Sequence, residues 1–240
     1  MDGFHLESMG SGWWPQASSS FAEEVDGLFL LIAITVGAWF VLCQVAMWFL
    51  LWRARRQRHP LGEVSGEPQR ENWSIVSLGL AVLVCDLVIE AYGHPIWRRM
   101  VSEPPENALA VRVEARQFVW EIRHAGADGR LDTEDDLEVQ NELHVPLGRP
   151  VELRLRSRDV IHSFFLPTAR LKQDVLPGVE IRRWFVPTQV GRFPIACAEL
   201  CGFAHYRMGG ELIVHDEESY RHWLASGNAL TDGGLGRGGR

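Results

Sequence analysis

The sequence predicts a membrane-anchored α+β protein, a two-helix transmembrane hairpin followed by an extramembrane β domain. Three observations predict it. Residues 28–52 form a run of 25 without a single charged side chain. A second apolar run covers 73–97, in which the ionisable interruptions are two carboxylates and a histidine. Residues 101–224 alternate apolar and polar side chains between turn residues, as a soluble β domain does. The mean hydropathy of -0.07 looks ordinary only because it averages these regions. The split excludes a purely soluble globule, and two spans are too few for a polytopic transporter. A net charge of -7 gives no basic surface for nucleic acid.

The first span is long enough to cross the ~30 Å hydrocarbon core, which takes about 20 apolar residues. It is too long for the core of a secretory signal, and no Lys or Arg precedes it. Arg53, Arg55, Arg56 and Arg58 follow it directly, whereas Glu23, Glu24 and Asp26 precede it. The basic flank stays in the cytoplasm. The expected organisation is therefore an outer tail over 1–26, a hairpin over 27–100 and an outer domain over 101–224. Within the hairpin, spans at about 28–52 and 73–97 flank a cytoplasmic loop at 53–72. Residues 225–240 are Gly-rich and expected to be disordered. The protein is expected to be multi-pass in the cell membrane, with its amino terminus and large domain outside.

Asp86 and Glu90 lie inside the second span, four residues apart and so on one helical face. A carboxylate at membrane depth costs a few kcal/mol and usually faces protein or water. The pair fits a proton path or a contact with a partner membrane subunit. The plainer reading puts Glu90 at the outer interface and leaves Asp86 neutral and hydrogen-bonded.

In the outer domain, 109–123 alternates over part of its length. Val151, Leu153 and Leu155 alternate with Glu152, Arg154 and Arg156 as a half-buried strand should. Further strands are expected at 160–166, 179–186, 191–196 and 210–215, in a sandwich or barrel. A short helix is expected from Asp216 to about Leu224, with acidic residues at its positive end.

Cys43 and Cys85 sit in the spans as small hydrophobes. The other two cysteines stand in Cys197-Ala-Glu-Leu-Cys201-Gly-Phe-Ala-His205-Tyr-Arg-Met208. Thiolate, imidazole and thioether together are the ligand vocabulary of electron-transfer copper. A disulfide would leave His205 and Met208 unexplained, and a structural zinc site has no use for the thioether. A Cys-x-x-Cys-His haem motif is absent. Two cysteines, where a mononuclear copper site needs one, suggest two metals sharing two sulfurs. His162, in Ser157-Arg-Asp-Val-Ile-His162-Ser, is the candidate second imidazole.

With the Cys197–Met208 run, Ser-Arg-Asp-Val-Ile-His162-Ser, and Leu171-Lys-Gln-Asp174 with Pro177-Gly178, the sequence resembles subunit II of haem–copper oxidases of the cytochrome c oxidase type. The resemblance covers nearly the whole chain. It implies a cupredoxin-like β-barrel holding the dinuclear copper centre CuA. Cys197 and Cys201 would bridge both coppers, His162 and His205 would bind one each, and Met208 and the Glu199 carbonyl would be weak axial ligands. The Glu199 carboxylate would bind Mg²⁺ or Mn²⁺ at the interface with subunit I. Implied partners are the haem-bearing subunit I, subunit III, a cytochrome c donor and the lipid bilayer.

The family's aromatic Gln-Trp-x-Trp patch reads Gln117-Phe118-Val119-Trp120 here. Phe118 and Trp120 are therefore the electron-input candidates, with core packing the alternative for Trp120. Residues 101–224 carry 20 acidic and 15 basic side chains, and Asp128, Asp132, Glu134, Asp135, Asp136 and Glu138 concentrate the excess in one loop. That loop could be a rim steering a basic cytochrome, a Ca²⁺ loop or a solvated insertion. Family members often place a Glu three residues before the Trp that opens the second helix. Position 70 is Arg here, and Glu71 is the nearest carboxylate for a proton path. Two functional alternatives share parts of this pattern: a CuA subunit feeding a nitric oxide-reducing partner, and a copper-free quinol oxidase subunit. The second predicts lost ligands, and all six positions are present.

Overall fold

In a computed structural model, the structure describes residues 14–57 and 68–231, in two compact units. One unit is the helix pair, Glu24–Trp97; the other combines the amino-terminal segment with the chain from Arg98 onward.

Helix α1 spans Ala22–Gln57 and α2 spans Pro68–Val101. Both contain stretches long and apolar enough to cross a membrane, Ala22–Arg56 and Ile75–Val101. They overshoot the expected spans because a helix does not stop where its apolar run stops. α1 continues through Arg55 and Arg56, whose positive charge suits a helix carboxyl end, and Arg56 lies over the Trp52 ring. On α2, Ala81, Cys85, Ile89, Gly93 and Ile96 recur at intervals of four and three and are the better covered positions. Gly93 meets Leu28 of α1 there, so small residues form the seam between the helices.

The β domain is two five-stranded sheets. One has the order β3-β2-β1-β5-β8, built from Leu137–Gln140, Val119–His124, Leu109–Arg116, Val151–Ser157 and Ile181–Phe185. The other has the order β4-β10-β9-β6-β7, built from Glu142–Pro146, Gly209–His215, Gly191–Cys197, His162–Leu166 and Leu171–Val175. β1 with β5 and β10 with β4 run parallel; all other pairs are antiparallel. This is the cupredoxin-like sandwich, or half-barrel, that was expected. Alternation aims Val111, Val113, Trp120, Ile122, Leu153 and Leu155 of one sheet at Leu143, Val145, Phe164, Leu166, Ile195 and Leu212 of the other, all fully buried.

Several elements differ from expectation. The stretch expected as 109–123 is two strands turning at Gln117–Phe118. β3, β4 and β7 were not expected. β3 turns only Leu137 and the half-buried Val139 to the core, and Glu138 and Gln140 face water, so its apolar signal is too thin to read. The carboxy-terminal helix α3 runs Glu217–Thr231, past Leu224 and into the segment expected to be disordered. Ala225, Ala229 and Leu230 favour helix, and one Gly costs only about 1 kcal/mol; residues 232–240 lie outside the described residues. Nor is the amino-terminal segment a free tail. Ser18 N–H donates to the Thr168 carbonyl (2.8 Å), Ser20 N–H to Val186 (3.0 Å), and Phe21 packs edge-on against Trp184.

α3 covers three imidazoles, at the carboxyl ends of β2 and β10 and in the middle of β4. Trp223 stacks on His144 with ring centroids 4.2 Å apart, and His144 Nδ1 lies 2.9 Å from His215 Nε2. His124 is wholly buried, and its Nε2 accepts the His144 backbone N–H (3.0 Å). Burial, then the neighbouring imidazoles, lower its pKa to about 3.

Candidate metal centre

Strand ends and one loop assemble the donor set. β6 opens with His162, whose side chain is fully buried. β9 pairs with β6, setting Cys197 opposite Phe164 at the same end of the sheet. From Cys197 the chain loops through Cys201 to a 3-10 turn, His205–Arg207, and then into β10. The loop is closed by paired backbone bonds: Cys197 N–H donates to Met208 O (3.1 Å), and Ala198 N–H to Ser163 O (3.0 Å). Ligands far apart in sequence are thus fixed by sheet register.

The sulfurs of Cys197 and Cys201 stand 3.8 Å apart. A disulfide needs about 2.05 Å, and both thiols are free. His162 Nδ1 lies 4.0 Å from the Cys197 sulfur, and His205 Nδ1 lies 3.6 Å from that of Cys201. Met208 Sδ is 3.7 Å from the Cys201 sulfur and buried, and the Glu199 carbonyl is 3.3 Å from that of Cys197. His162, Cys197 and Cys201 offer donor atoms all within 4.8 Å of one another. Metal–sulfur bonds of about 2.3 Å can bridge the gap between the two sulfurs. Two thiolates, two imidazoles and a thioether form a soft set suited to copper. The residues fit the group.

Surrounding groups hold these donors. Asp159 Oδ1 lies 2.9 Å from His162 Nε2, which leaves Nδ1 facing the sulfur. A carboxylate behind a ligating imidazole fixes its orientation. Burial works against the Asp159 charge, but hydrogen bonds from His162, Gln117 N–H and Val160 N–H outweigh it and lower its pKa. Gln117 Nε2 donates to the Cys201 carbonyl (2.6 Å), tying the β1–β2 turn to the loop. Burial and the neighbouring Cys197 push the Cys201 thiol up to about 11. A metal binding there has to displace that proton.

The family described as cytochrome c oxidase subunit II, periplasmic domain, matches residues 110–215. The chain is 32% identical to the alternative cytochrome c oxidase subunit 2 of Bradyrhizobium diazoefficiens, over 92% of this chain and 85% of that protein. The chain belongs to the cytochrome c oxidase subunit II family. A further family member, the cytochrome c oxidase subunit 2 of Synechocystis, is 28% identical over 90% of this chain and 76% of that protein. Among solved structures, the periplasmic domain of subunit II of cytochrome oxidase of Bradyrhizobium japonicum covers 55% of this chain and 99% of its own, with 23% identity and a TM-score of 0.47.

Within this subunit II fold, the remaining candidates separate. Phe118 is half-buried and meets Phe203 edge-on, with centroids 5.2 Å apart. Trp120 is not a surface residue. It is fully buried, edge-on to Phe164 and to His162, because β2 turns it inward with Ile122. The Glu199 side chain is exposed. Asp86 and Glu90 are exposed on α2, in the helical unit, and Glu90 lies 3.4 Å from His94. Glu71 falls near the start of α2, and its side chain lies outside the described residues. The acidic loop follows the His124 end of β2, roughly 20 Å along the chain from Phe118. Several of its carboxylates are engaged locally: Asp132 is held by Arg112 (2.6 Å), and Asp135 and Asp136 accept backbone N–H groups of the loop. Sequence reasoning missed Asp159, Gln117 and Phe203. Asp159 carried a signal, standing three residues before His162, and Gln117 opens the aromatic motif without a role of its own.

Proposed function

We propose that this chain is the electron-accepting subunit of a respiratory haem–copper oxidase, with a dinuclear CuA centre held by His162, Cys197, Cys201, His205, Met208 and the Glu199 carbonyl. The observation that carries the reading is the convergence of two free thiols, 3.8 Å apart, with an imidazole beside each and a buried thioether. When bound, such a centre supplies one-electron redox chemistry with little change in ligand geometry. The protein's own residues supply the rigidity. Asp159 fixes the His162 ring, Trp120 packs behind it, and Gln117 holds the Cys201 carbonyl. Buried Met208 closes the inner side against water.

In the assembled oxidase, cytochrome c is the donor and haem in subunit I the acceptor. Oxygen is reduced to water in that partner, with proton translocation. Subunit III completes the membrane assembly. To the exposed Glu199 carboxylate we assign the binding of Mg²⁺ or Mn²⁺ at the subunit I interface, since hard oxygen ligands suit those ions. Arg53, Arg55 and Arg56 at the end of α1 support a plasma-membrane topology with the amino terminus and copper domain outside. On α2, Asp86 and Glu90 are assigned to the face that meets partner protein.

Copper analysis with electron paramagnetic resonance on the purified complex tests the reading. Two coppers per chain sharing one unpaired spin are expected, and Cys197→Ser should abolish that spectrum. One copper, zinc, or a delocalised spectrum surviving in the Cys197 variant would refute it.

A further inference from the structure

We propose that Asn141 is a positioning residue of the metal centre, which pins Trp120 behind the His162 ring and sets the strand that follows Met208. The inference rests on reading the centre as dinuclear copper.

β3 ends at Gln140 and β4 starts at Glu142, so Asn141 alone carries the chain from one sheet to the other. Its φ of 61° is left-handed, a conformation that Asn adopts more readily than most side-chain-bearing residues. That conformation redirects the backbone. β2 and β3 pair as far as Glu121 opposite Gln140. A continued antiparallel ladder would exchange two backbone bonds between Trp120 and Asn141. One is made: Asn141 N–H donates to the Trp120 carbonyl (2.8 Å). The other is not, because the Asn141 carbonyl is turned to the second sheet and accepts the Glu211 N–H of β10 (2.8 Å). The side-chain oxygen takes its place and accepts the Trp120 N–H at 2.9 Å. Gly210 leaves room for the turned carbonyl, since a Cβ there would stand 2.5 Å from its oxygen.

Both ends of this pin lead to donor atoms. Trp120 is fully buried and lies edge-on to His162, with ring centroids 6.0 Å apart, and to Phe164. Asp159 holds the His162 ring at Nε2, and Trp120 is a wall against which the ring rests. A shift of β2 at Trp120 would let the ring tilt and carry Nδ1 out of line with the Cys197 sulfur. On the other side, β10 opens at Gly209, directly after Met208. The Met208 carbonyl receives the Cys197 N–H (3.1 Å), so the start of β10 locates both the thioether and the first thiol. Glu211, three residues past Met208, is the point at which Asn141 holds that strand. One residue thus keeps the His162 wall and the Met208 strand in a single register. Asn141 acts on the donors through these neighbours.

The test uses the purified oxidase complex and reads the copper, not turnover. Asn141→Gly keeps the left-handed turn but removes the acceptor of the Trp120 N–H. It should weaken copper binding about tenfold in chelator competition and alter the copper hyperfine splitting in electron paramagnetic resonance. Asn141→Asp keeps both turn and acceptor, so it should restore the spectrum and bring the affinity to within about twofold of wild type. Val139→Ala thins the same edge strand away from this hydrogen bond. It should lower the unfolding midpoint and leave both copper readouts unaltered. Gly210→Ala displaces the Asn141 carbonyl without changing its side chain; it should reproduce the spectral change, and it decides the matter if Asn141→Gly does not assemble. Unaltered copper in Asn141→Gly or Gly210→Ala, no rescue by Asp, or the same copper changes in Val139→Ala would overturn the proposal. A wild-type complex without the shared-spin spectrum would refute the copper reading and this inference with it, a result distinct from a normal wild-type spectrum that the variants leave unchanged.

Discussion

Acidification should unfasten the end of the β domain that α3 covers, and His124 allows the size of the effect to be worked out. An unfolded histidine titrates near pH 6.5, whereas burial holds folded His124 at about 3. The folded pKa is the lower one, so as pH falls the unfolded chain takes up the proton first. The contribution to stability is complete above about pH 6.5 and is lost progressively toward pH 3. At ~1.4 kcal/mol per pH unit, lowering the pH from 7 to 5 removes about 2 kcal/mol through this residue alone. For a domain of this size that is a fall in Tm of roughly 8 °C. His144 and His215, both also lowered by burial, act in the same direction. The assay is thermal unfolding of the detergent-solubilised chain by near-ultraviolet circular dichroism at the two pH values, beside His124→Gln. Glutamine keeps an acceptor for the His144 N–H but does not titrate, so the variant should lose about 2 kcal/mol less than wild type over that pH range. An equal loss in both proteins would refute the buried-imidazole argument.

Other outcomes follow from the metal centre. Asp159→Asn removes the carboxylate behind His162 and should weaken copper binding about 10- to 100-fold; chelator competition measures this, and unchanged affinity would count against the positioning role. Gly202→Ala places a methyl against Gln117 and Phe118 at a positive φ. It should destabilise the domain by about 1–3 kcal/mol, read from denaturant unfolding, and a neutral result would mean that the loop can shift freely. Met208→Leu should retain copper but shift its reduction potential, because the thioether is a weak axial donor; loss of metal in a voltammetric titration would show instead that Met208 is essential to binding.

The sequence by itself determined the parts governed by short-range order. An uncharged run of 25 residues can only be stable out of water. A loop carrying two thiols, an imidazole and a thioether within twelve residues presents those donors together whatever surrounds it. Alternation in Val151–Ser157 likewise marks its buried face without help from other strands.

Tertiary structure decided what depends on which strands lie side by side. Phe118 and Trp120 are two residues apart, yet the β1–β2 turn leaves one at the surface and β2 buries the other. His162 stands 35 residues from Cys197 and becomes its neighbour only because β6 pairs with β9. The acidic loop reads in the sequence as a docking rim, a Ca²⁺ loop or a solvated insertion, and the direction of β2 sets it at the opposite end of that strand from Phe118. Residues 14–21 look like a tail until Ser18 and Ser20 find carbonyls of distant strands and loops. In each case the deciding energy comes from contacts between residues far apart along the chain, and no local pattern encodes such contacts.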